Sequence, residues 1–372
     1  MDRPSSTPAL LVVHSAKLAG AQIVAVGQAE ALARDRPLIV SVGPGPLRER
    51  FTRVGAVVRQ PTRLPVWGAS CARWVLELAR VLPDAVRLAL IARRRGAGVI
   101  VAGSTVLAAP VIAARIARIP SIVIAHEAPK SAAARRLFRF HGRFATVVVA
   151  ISPMTAAAFD GCCARLLVLP VGIDIPAPVP RRPRHGGDAV RLLVVGSLDR
   201  HKRQRVAVDA LALLRADGVD AHLELVGALE DSAYVEELRA AVADAGVAGH
   251  VTFGGLRRDV PERLRAADML LVPGGEVTPL VIMEAMAAGT PVVAAAMGSI
   301  PDVVEDGVSG LLAAPDDPAS LAEAAARIAQ DGDLAASLAA GGRARVERDF
   351  DQRTSNARLC AEVARLVGEE RG

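Results

Sequence analysis

Two glutamates, Glu276 and Glu284, lie eight positions apart on either side of a predicted junction between a loop and a helix. Thr278 is a residue type that caps helices, Pro279 suits the first helical position, and Gly289 is typical of a helix end. This pattern places Glu284 about a turn and a half into the helix, with Glu276 in the loop before it. Carboxylates in these positions can accept hydrogen bonds from the hydroxyl groups of a sugar.

The predicted helix start is a potential anion site. Thr278, Pro279 and Leu280 form this start, where unpaired N–H groups and the helix dipole favour negative charge. An anion held there, flanked by two carboxylates that accept hydroxyl groups, suggests a diphosphate between two sugars.

The run at 274–291 resembles the Glu-x7-Glu motif of retaining glycosyltransferases of the family 4 type, also described as glycosyl transferases group 1. The resemblance implies the GT-B fold, an α/β architecture in which two Rossmann-like domains face each other across a cleft. It implies that Glu276 is catalytic and holds hydroxyl groups of the donor sugar, while Glu284 binds the ribose of the nucleotide. The helix start defined above would also contact the donor.

A basic loop follows the predicted strand at 190–195 and contains Gly196, Ser197, Lys202 and Arg203. It resembles the family's Gly-Arg…Lys-Gly loop, whose Arg and Lys neutralise the donor diphosphate. Lys202 falls on the family Lys, but Ser197 replaces the Arg and Arg203 replaces the second Gly. The resemblance implies a catalytic Lys202 and donor contacts from Gly196 and Arg203; a solvated basic loop is the alternative. The arginines that could supply the missing charge are Arg200, Arg203 and Arg205.

Two further candidates follow predicted strands of the first half. Gly20 lies in a turn after the first strand, where glycine lets the backbone approach a donor, and a helix is predicted from about Ala21. His126 follows the strand at 121–125, where the family has a His-Glu pair. The resemblance implies that His126 is near the reacting sugar, with a structural histidine as the alternative. Glu127 is interpreted as structural.

The resemblance also covers segments that border the nucleotide. Backbone around Gly227, just after a strand, and around residues 256–257 would border the base. Arg257 could reach a phosphate, and a surface arginine is the alternative. Val171 stands where the family usually has Asn, in a segment that we interpret as the floor of the cleft and the hinge.

No cofactor and no metal ion are expected. Lys202 and the helix start would handle the diphosphate charge, and the nucleotide sugar is a co-substrate. The segment Asp331-Gly332-Asp333 has the form of an Asp-x-Asp metal motif, but it lies between predicted C-terminal helices, so a turn is predicted. The four cysteines match no metal or disulfide spacing.

Alternating β-branched runs and Ala/Leu/Arg-rich stretches predict two α/β domains. The predicted parts are an N-terminal Rossmann-like acceptor domain at 1–175, a linker at 176–188, a Rossmann-like donor domain at 189–350, and a C-terminal helix at 351–372 that packs back toward the N-terminal domain. The predicted strands are 10–13, 38–42, 54–58, 99–101, 121–125, 146–150, 166–169, 190–195, 222–226, 250–253, 269–272 and 291–294. Ligands of open parallel sheets bind at the carboxyl ends of the strands, which predicts a site in the cleft.

Charge is divided unevenly along the chain. Residues 1–180 hold 23 Lys and Arg against 9 Asp and Glu, a net charge of +14, while the remainder holds 22 against 30, a net charge of −8. The basic half favours an anionic partner, such as acidic lipid headgroups or a phosphorylated acceptor. Its densest basic segment, 130–144, could lie at a membrane interface, but we interpret it as an amphipathic core helix with solvated arginines. Aromatic content of 3% argues against nucleic acid.

These features together predict an enzyme, a hexosyltransferase that uses a UDP- or GDP-linked sugar and retains the anomeric configuration. The acceptor stays open, with lipid-linked and anionic molecules as candidates. We expect the protein in the cytoplasm, with the inner face of the membrane as a second location, because no signal peptide or membrane span is predicted. The alternatives are a sugar-nucleotide epimerase or phosphorylase on the same fold, or a non-catalytic sugar-nucleotide-binding partner subunit, which Ser197 and Val171 motivate.

Overall fold

The computed structural model describes residues 7–16, 20–58, 71–126, 129, 131–179, 188–229, 231–275 and 279–369. The chain divides into two compact units. The first comprises Met1–Gly172 together with Gln352–Gly372, and the second comprises Ile173–Asp351. Three residues of the predicted site region, Glu127, Glu276 and Thr278, lie outside the described residues.

The strands of both units are short and largely apolar. They are β1 (Ala9–Val12), β2 (Leu38–Ser41), β3 (Ala56–Val58), β4 (Val99–Ala102), β5 (Ser121–Ala125), β6 (Val147–Ala150), β7 (Leu166–Val168), β8 (Val190–Val195), β9 (Ala221–Val226), β10 (Val251–Gly255), β11 (Met269–Val272), β12 (Val292–Ala295) and β13 (Leu311–Ala313).

Helices connect these strands. They are α1 (Gly20–Asp35), α2 (Arg48–Val54), α3 (Cys71–Arg95), α4 (Ala109–Ala117), α5 (Ala132–Phe144), α6 (Pro153–Ala157), α7 (Gln204–Ala216), α8 (Ser232–Asp244), α9 (Val260–Ala266), α10 (Leu280–Ala287), α11 (Ile300–Val303), α12 (Pro318–Gln330), α13 (Gly332–Asp349) and α14 (Gln352–Glu369).

Each unit is built on one parallel sheet within the described residues. The first sheet has the order β3-β2-β1-β4-β5-β6-β7, and the second has the order β10-β9-β8-β11-β12-β13. Both contain the 3-2-1-4-5 order of Rossmann-like folds, so the predicted fold class is confirmed. Strands of such sheets are covered on both faces and therefore read as continuous apolar runs. In β1, for example, all of Ala9–Val12 is inaccessible to solvent.

Most predicted strands agree with the structure to within about two residues, and two differences have physical causes. The predicted strand at 54–58 begins only at Ala56, because α2 extends to Val54 and buries Phe51 against the first unit. Strand β13 was not predicted. It has only three residues, which is too short for a recognisable strand pattern, and it completes the second sheet by pairing with β12.

The basic helix α5 packs as an amphipathic helix of the first unit. Phe138 and His141 are buried, while Arg135, Arg139 and Arg143 are exposed. Ser131 caps its start, since its hydroxyl accepts a hydrogen bond from the Ala134 N–H at 3.1 Å. The apolar side of α5 thus faces protein, which is the arrangement of a core helix with solvated arginines.

The last helix, α14, belongs to the first unit. Leu359, Val363 and Leu366 are buried there. The Ser355 hydroxyl donates to the Pro170 carbonyl at 2.7 Å, which ties the start of α14 to the segment after β7. Across the described part of the chain, none of the helices combines the length and the apolar character that crossing a bilayer requires.

Candidate functional site

Two glycines bring the ends of β8 and β9 into direct backbone contact. A Cβ atom at Gly227 would lie 1.8 Å from the Gly196 carbonyl oxygen, so any residue other than glycine would clash there. Gly196 has a φ of +155°, which L side chains rarely adopt. The ends of β8 and β9 therefore meet through backbone atoms, with Gly227 buried and Gly196 partly exposed at the carboxyl edge of the second sheet.

The loop after β8 is shaped by Asp199. Its carboxylate accepts hydrogen bonds from the backbone N–H of His201 at 2.8 Å and of Lys202 at 3.3 Å. The Ser197 hydroxyl donates to the same carboxylate at 2.5 Å. Ser197, which stands where the family has Arg, therefore braces the loop that presents Lys202.

The side chain of Lys202 lies over Gly196. A Cβ atom at Gly196 would be 3.5 Å from both Cδ and Cε of Lys202, so the aliphatic stem of the lysine follows the end of β8. The lysine is half-buried. Its ammonium group is thereby held at the carboxyl edge of the second sheet, where a ligand of an open parallel sheet is expected.

The loop after β11 packs on the Lys202 loop. A Cβ atom at Gly274 would lie 2.6 Å from the His201 carbonyl oxygen and 2.8 Å from the Cα atom of Lys202. The next residue, Gly275, lies beside Met297, and a Cβ atom at Gly275 would be 3.3 Å from the Met297 Cβ atom. The backbone at Gly274 therefore packs against the backbone of Lys202, although the two residues are 72 positions apart in sequence.

Helix α10 begins one residue later than predicted. Pro279 occupies the N-cap position with a ψ of 61°, which is outside the helical range, so Leu280 is the first helical residue. The Pro279 carbonyl accepts hydrogen bonds from the N–H groups of Ile282 and Met283. The N–H groups of Leu280 and Val281 come before the first helical bonds, and they are the donors that an anion would meet.

Glu284 is the polar position of an apolar helix. Its neighbours Met283 and Ala285 are buried, whereas the Glu284 side chain is exposed. Burial of its surroundings nevertheless raises the pKa of the Glu284 carboxyl, because protein replaces part of its hydration. A carboxyl group that water reaches but solvates poorly is suited to exchange that water for ligand hydroxyl groups.

The three arginines that could replace the missing charge each pair with an acid. Arg205 is bonded to Asp209 at 2.8 Å, and Arg203 is 2.6 Å from Asp316. Arg200 binds Glu237 and also stacks on a ring, with its guanidinium carbon 5.6 Å from the centre of Tyr234. Each of these three guanidinium groups is therefore engaged by a protein carboxylate.

Arg257 lies at the surface after β10. Its guanidinium donates to Asp259 from Nε at 3.0 Å and from Nη2 at 3.2 Å. Hydrogen bonds from Arg257 and Arg263 hold the pKa of the Asp259 carboxyl well below its usual range. This geometry favours the surface ion pair over a phosphate contact. The neighbouring Leu256 is 77% exposed.

The first unit places a buried histidine at the end of β5. His126 is 4% exposed, and neither of its ring nitrogens has a hydrogen-bond partner among the residues that the structure describes. Burial, with a smaller effect of the His14 charge, lowers the pKa of His126 to about 4. The imidazole is therefore neutral near pH 7 and can offer one donor and one acceptor to a ligand.

Gly20 is the first residue of α1 rather than part of a preceding turn.

Sequence reasoning missed Asp199, Gly274 and His141. The Ser-x-Asp pattern at 197–199 is typical of a side-chain-stabilised turn, and paired glycines after a strand indicate close backbone approach, so both signals were present. His141 is fully buried, and its Nε2 is 2.7 Å from the Thr105 carbonyl oxygen. Its environment lowers the pKa of His141 to about 4, chiefly through burial.

The Asp-x-Asp segment forms a helix start. The Asp331 carboxylate accepts hydrogen bonds from the N–H groups of Asp333 at 3.0 Å and Leu334 at 2.9 Å, and so caps α13. This agrees with a local structural role. Among the side chains that the structure describes, no group of three or more His, Cys, Asp or Glu is arranged to hold a metal ion.

The comparisons with known proteins agree with this arrangement. Residues 189–331 match the family described as glycosyl transferases group 1. A Mycobacterium tuberculosis GDP-mannose-dependent alpha-(1-6)-phosphatidylinositol monomannoside mannosyltransferase is 33% identical over 247 residues, which are 61% of this chain and 63% of that protein. A 2-deoxystreptamine glucosyltransferase of Streptomyces kanamyceticus is 31% identical over 58% of each chain. The chain thus matches a little under two thirds of the length of its mycobacterial relative.

Solved structures share the architecture over nearly the whole chain. Anabaena Alr3699/HepE in complex with UDP-glucose is 25% identical and superposes with a TM-score of 0.77, covering 96% of this chain and 99% of that one. A glycosyltransferase from Rickettsia africae superposes with a TM-score of 0.81 at 14% identity, covering 97% and 99%, which shows the fold alone. The second unit thus matches the group 1 glycosyltransferase family over residues 189–331, and the chain shares the GT-B fold of these solved structures.

Proposed function

We propose that this protein transfers a hexose from a nucleotide diphosphate sugar to an acceptor hydroxyl group, with retention of the anomeric configuration. The observation that carries the proposal is the contact between Gly274 and the backbone of Lys202. It fixes the cationic loop beside the segment that leads to α10, so that one diphosphate could meet both. The names of the relatives, one GDP-mannose-dependent and one bound to UDP-glucose, support a UDP- or GDP-linked donor.

The protein's part in this reaction is electrostatic and positional. The bond from the anomeric carbon to the diphosphate oxygen breaks while a bond to the acceptor oxygen forms on the same face of the sugar. The Lys202 ammonium group and the N–H groups of Leu280 and Val281 would stabilise the charge that develops on the leaving diphosphate. The proton of the acceptor hydroxyl passes to a diphosphate oxygen, so the proposed reaction needs no protein base, and direct attack by the acceptor needs no protein nucleophile.

The remaining candidates would position the donor. Glu276 would hold hydroxyl groups of the sugar, and Glu284, near the middle of α10, would accept from the ribose hydroxyl groups. The backbone at Gly196 and Gly227 would lie along the nucleotide, since side chains are excluded there. In the first unit, the neutral imidazole of His126 could offer hydrogen bonds to a ligand without placing a cation next to it.

A donor panel followed by variants tests this function. Because a bound donor stabilises the protein by mass action, UDP- and GDP-hexoses that raise the unfolding temperature identify the nucleotide. Donor turnover is then measured for the wild type, Lys202→Ala and Glu276→Gln. Removal of one stabiliser of the transition state is expected to lower the rate about a hundredfold or more. Turnover that survives both changes contradicts the proposed site.

A matched pair of control variants comes from α9. Glu262 and Arg265 form an exposed ion pair at 3.0 Å, so Glu262→Gln and Arg265→Ala change the same kinds of charge outside the proposed site. Both should turn over the donor at the wild-type rate. Product that forms without an acceptor would indicate an epimerase, and product that requires only phosphate would indicate a phosphorylase.

A second candidate is a sugar-nucleotide-binding partner subunit without turnover. Ser197 and the pairing of Arg200, Arg203 and Arg205 with protein carboxylates favour it, because they reduce the positive charge that is available to a diphosphate. Calorimetry that detects UDP or GDP binding, together with no transfer to any acceptor, would establish this role.

A further inference from the structure

Helix α3 packs one apolar face into the core of the first unit. Val81, Ala85, Leu88, Ala89 and Ala92 are each no more than 7% exposed and lie in one hydrophobic cluster with residues of α4. Their spacing of three and four residues is that of a single helix face. Packing of this buried face holds α3 on the first unit.

A second apolar face of α3 points to solvent. Leu82 is 60% exposed, Val86 is 42% exposed and Leu90 is 47% exposed. The three residues are four positions apart and therefore form one line, the α3 stripe, about 12 Å long. The outer face of a surface helix is normally polar, so an apolar line on it indicates a contact that the isolated chain does not make.

Arginines border the α3 stripe. Arg80, Arg87 and Arg94 are exposed and seven positions apart, so they form a second line on the outer surface beside the stripe. The helix ends in Arg93, Arg94 and Arg95. In the part of α3 whose side chains are described, 79–95, Asp84 is the one acidic residue.

The basic surface continues onto the end of the neighbouring helix. The Arg93 guanidinium donates to the Ile116 carbonyl at 2.6 Å, which joins the last turns of α3 and α4. Arg115 and Arg118 are exposed at that end and line an open groove with Arg143. Several helix ends thus present positive charge on one side of the first unit.

We propose that the outer face of α3 docks on an anionic lipid bilayer. An apolar line would enter the boundary between headgroups and acyl chains, and the arginines beside it would contact acidic headgroups with their stems along the apolar surface. The basic border favours a bilayer because mobile acidic headgroups can approach the exposed Arg87 and Arg94 without a matching arrangement of acids. The segment that sequence alone singled out, α5, turns its apolar side inward instead. This inference does not depend on the proposed catalytic site.

Vesicle binding by the full chain tests the docking face. Co-sedimentation is measured with neutral phosphatidylcholine vesicles and with vesicles that also contain phosphatidylglycerol. The wild type should sediment with the anionic vesicles, and much less with the neutral ones. Leu82→Ser combined with Leu90→Ser should weaken this binding at least tenfold, and Arg87→Gln combined with Arg94→Gln should weaken it to a similar degree.

Matched controls are available outside α3. Leu213 on α7 is 42% exposed, and Arg358 on α14 is also exposed, so Leu213→Ser and Arg358→Gln should bind like the wild type. All variants should keep the wild-type unfolding temperature because the changed side chains are exposed. If the variant with Leu82→Ser and Leu90→Ser loses stability, vesicle binding by the variant with Arg87→Gln and Arg94→Gln tests the inference instead.

Three results would overturn the inference. One is wild-type binding that is absent or equal for the two kinds of vesicle, and another is unchanged binding by both double variants. The third is a dimer in light scattering that the serine changes convert to a monomer, because the α3 stripe would then be a contact between two copies of the chain.

Discussion

The guanidinium of Arg203 lies 2.6 Å from the carboxylate of Asp316, and both residues have left-handed backbone conformations, with φ of 54° and 57°. Arg203 stands at the N-cap of α7, where the family has glycine. An L residue in this conformation costs roughly 1–2 kcal/mol. The ion pair is partly exposed and offsets only part of that cost, since such pairs contribute about 0–1 kcal/mol.

The first prediction follows from this strained position. Arg203→Gly and Arg203→Ala both lose the ion pair, but only the glycine variant also loses the strain. We therefore expect the glycine variant to be more stable than the alanine variant by about 1 kcal/mol. Urea unfolding curves of both variants and the wild type measure the difference. An alanine variant as stable as the glycine variant would show that the backbone at 203 relaxes freely.

The second prediction concerns the contact that joins the two predicted site segments. Gly274→Ala introduces a Cβ atom 2.6 Å from the His201 carbonyl oxygen, which forces the two loops apart. Donor turnover should fall at least tenfold, because displacement of Lys202 from α10 weakens stabilisation of the leaving group. Gly249→Ala is the control, since nothing lies within 4 Å of the added atom. Equal donor turnover by the two variants would show that catalysis does not depend on the contact between Gly274 and the Lys202 loop.

The third prediction concerns pH and the buried histidines. The pKa of His126 and of His141 is lowered to about 4, from 6.5 in a free side chain. Between these values the unfolded chain binds protons that the native protein does not, so the free energy of unfolding should fall as pH decreases from about 6.5 toward 4. Each histidine can contribute roughly 3 kcal/mol over the full range.

Unfolding by denaturant at pH 7.5 and pH 5 measures this effect. The His126→Asn variant should show a smaller fall than the wild type between these pH values, because one of the two groups no longer titrates. Working above pH 5 limits the contribution of the carboxylates, although the raised pKa of Glu284 acts in the opposite direction. An identical fall in the variant would mean that His126 binds a proton equally well in the native and the unfolded protein.

Local patterns in the sequence were sufficient for most of the fold. Apolar runs gave the strands, and the ends predicted for β5, β8 and β11 are the observed ones. The exceptions arise where a tertiary contact decides. Val54 has a strand-forming side chain, but it ends a helix that Phe51 anchors in the core. Three residues were enough for β13 because β12 provides its hydrogen bonds.

The candidate site was only partly predictable for a related reason. Motif spacing identified Lys202 and Glu284 separately, because each lies in a local segment of typical composition. The contact of Gly274 with Lys202 depends on the order of β8 and β11 in the sheet, which local composition does not encode. The pairing of Arg203 with Asp316 likewise joins segments that are far apart in sequence, so a charge that looked available proved to be engaged.

The position of α14 has a consequence for how the protein is made. The chain enters the second unit at Ile173 and leaves it at Asp351, and these two residues form a parallel bridge. The second unit is therefore complete as soon as residue 351 has left the ribosome. The first unit must wait for Leu359, Val363 and Leu366 to fill its core, so the half that is synthesised first becomes the half that finishes folding last.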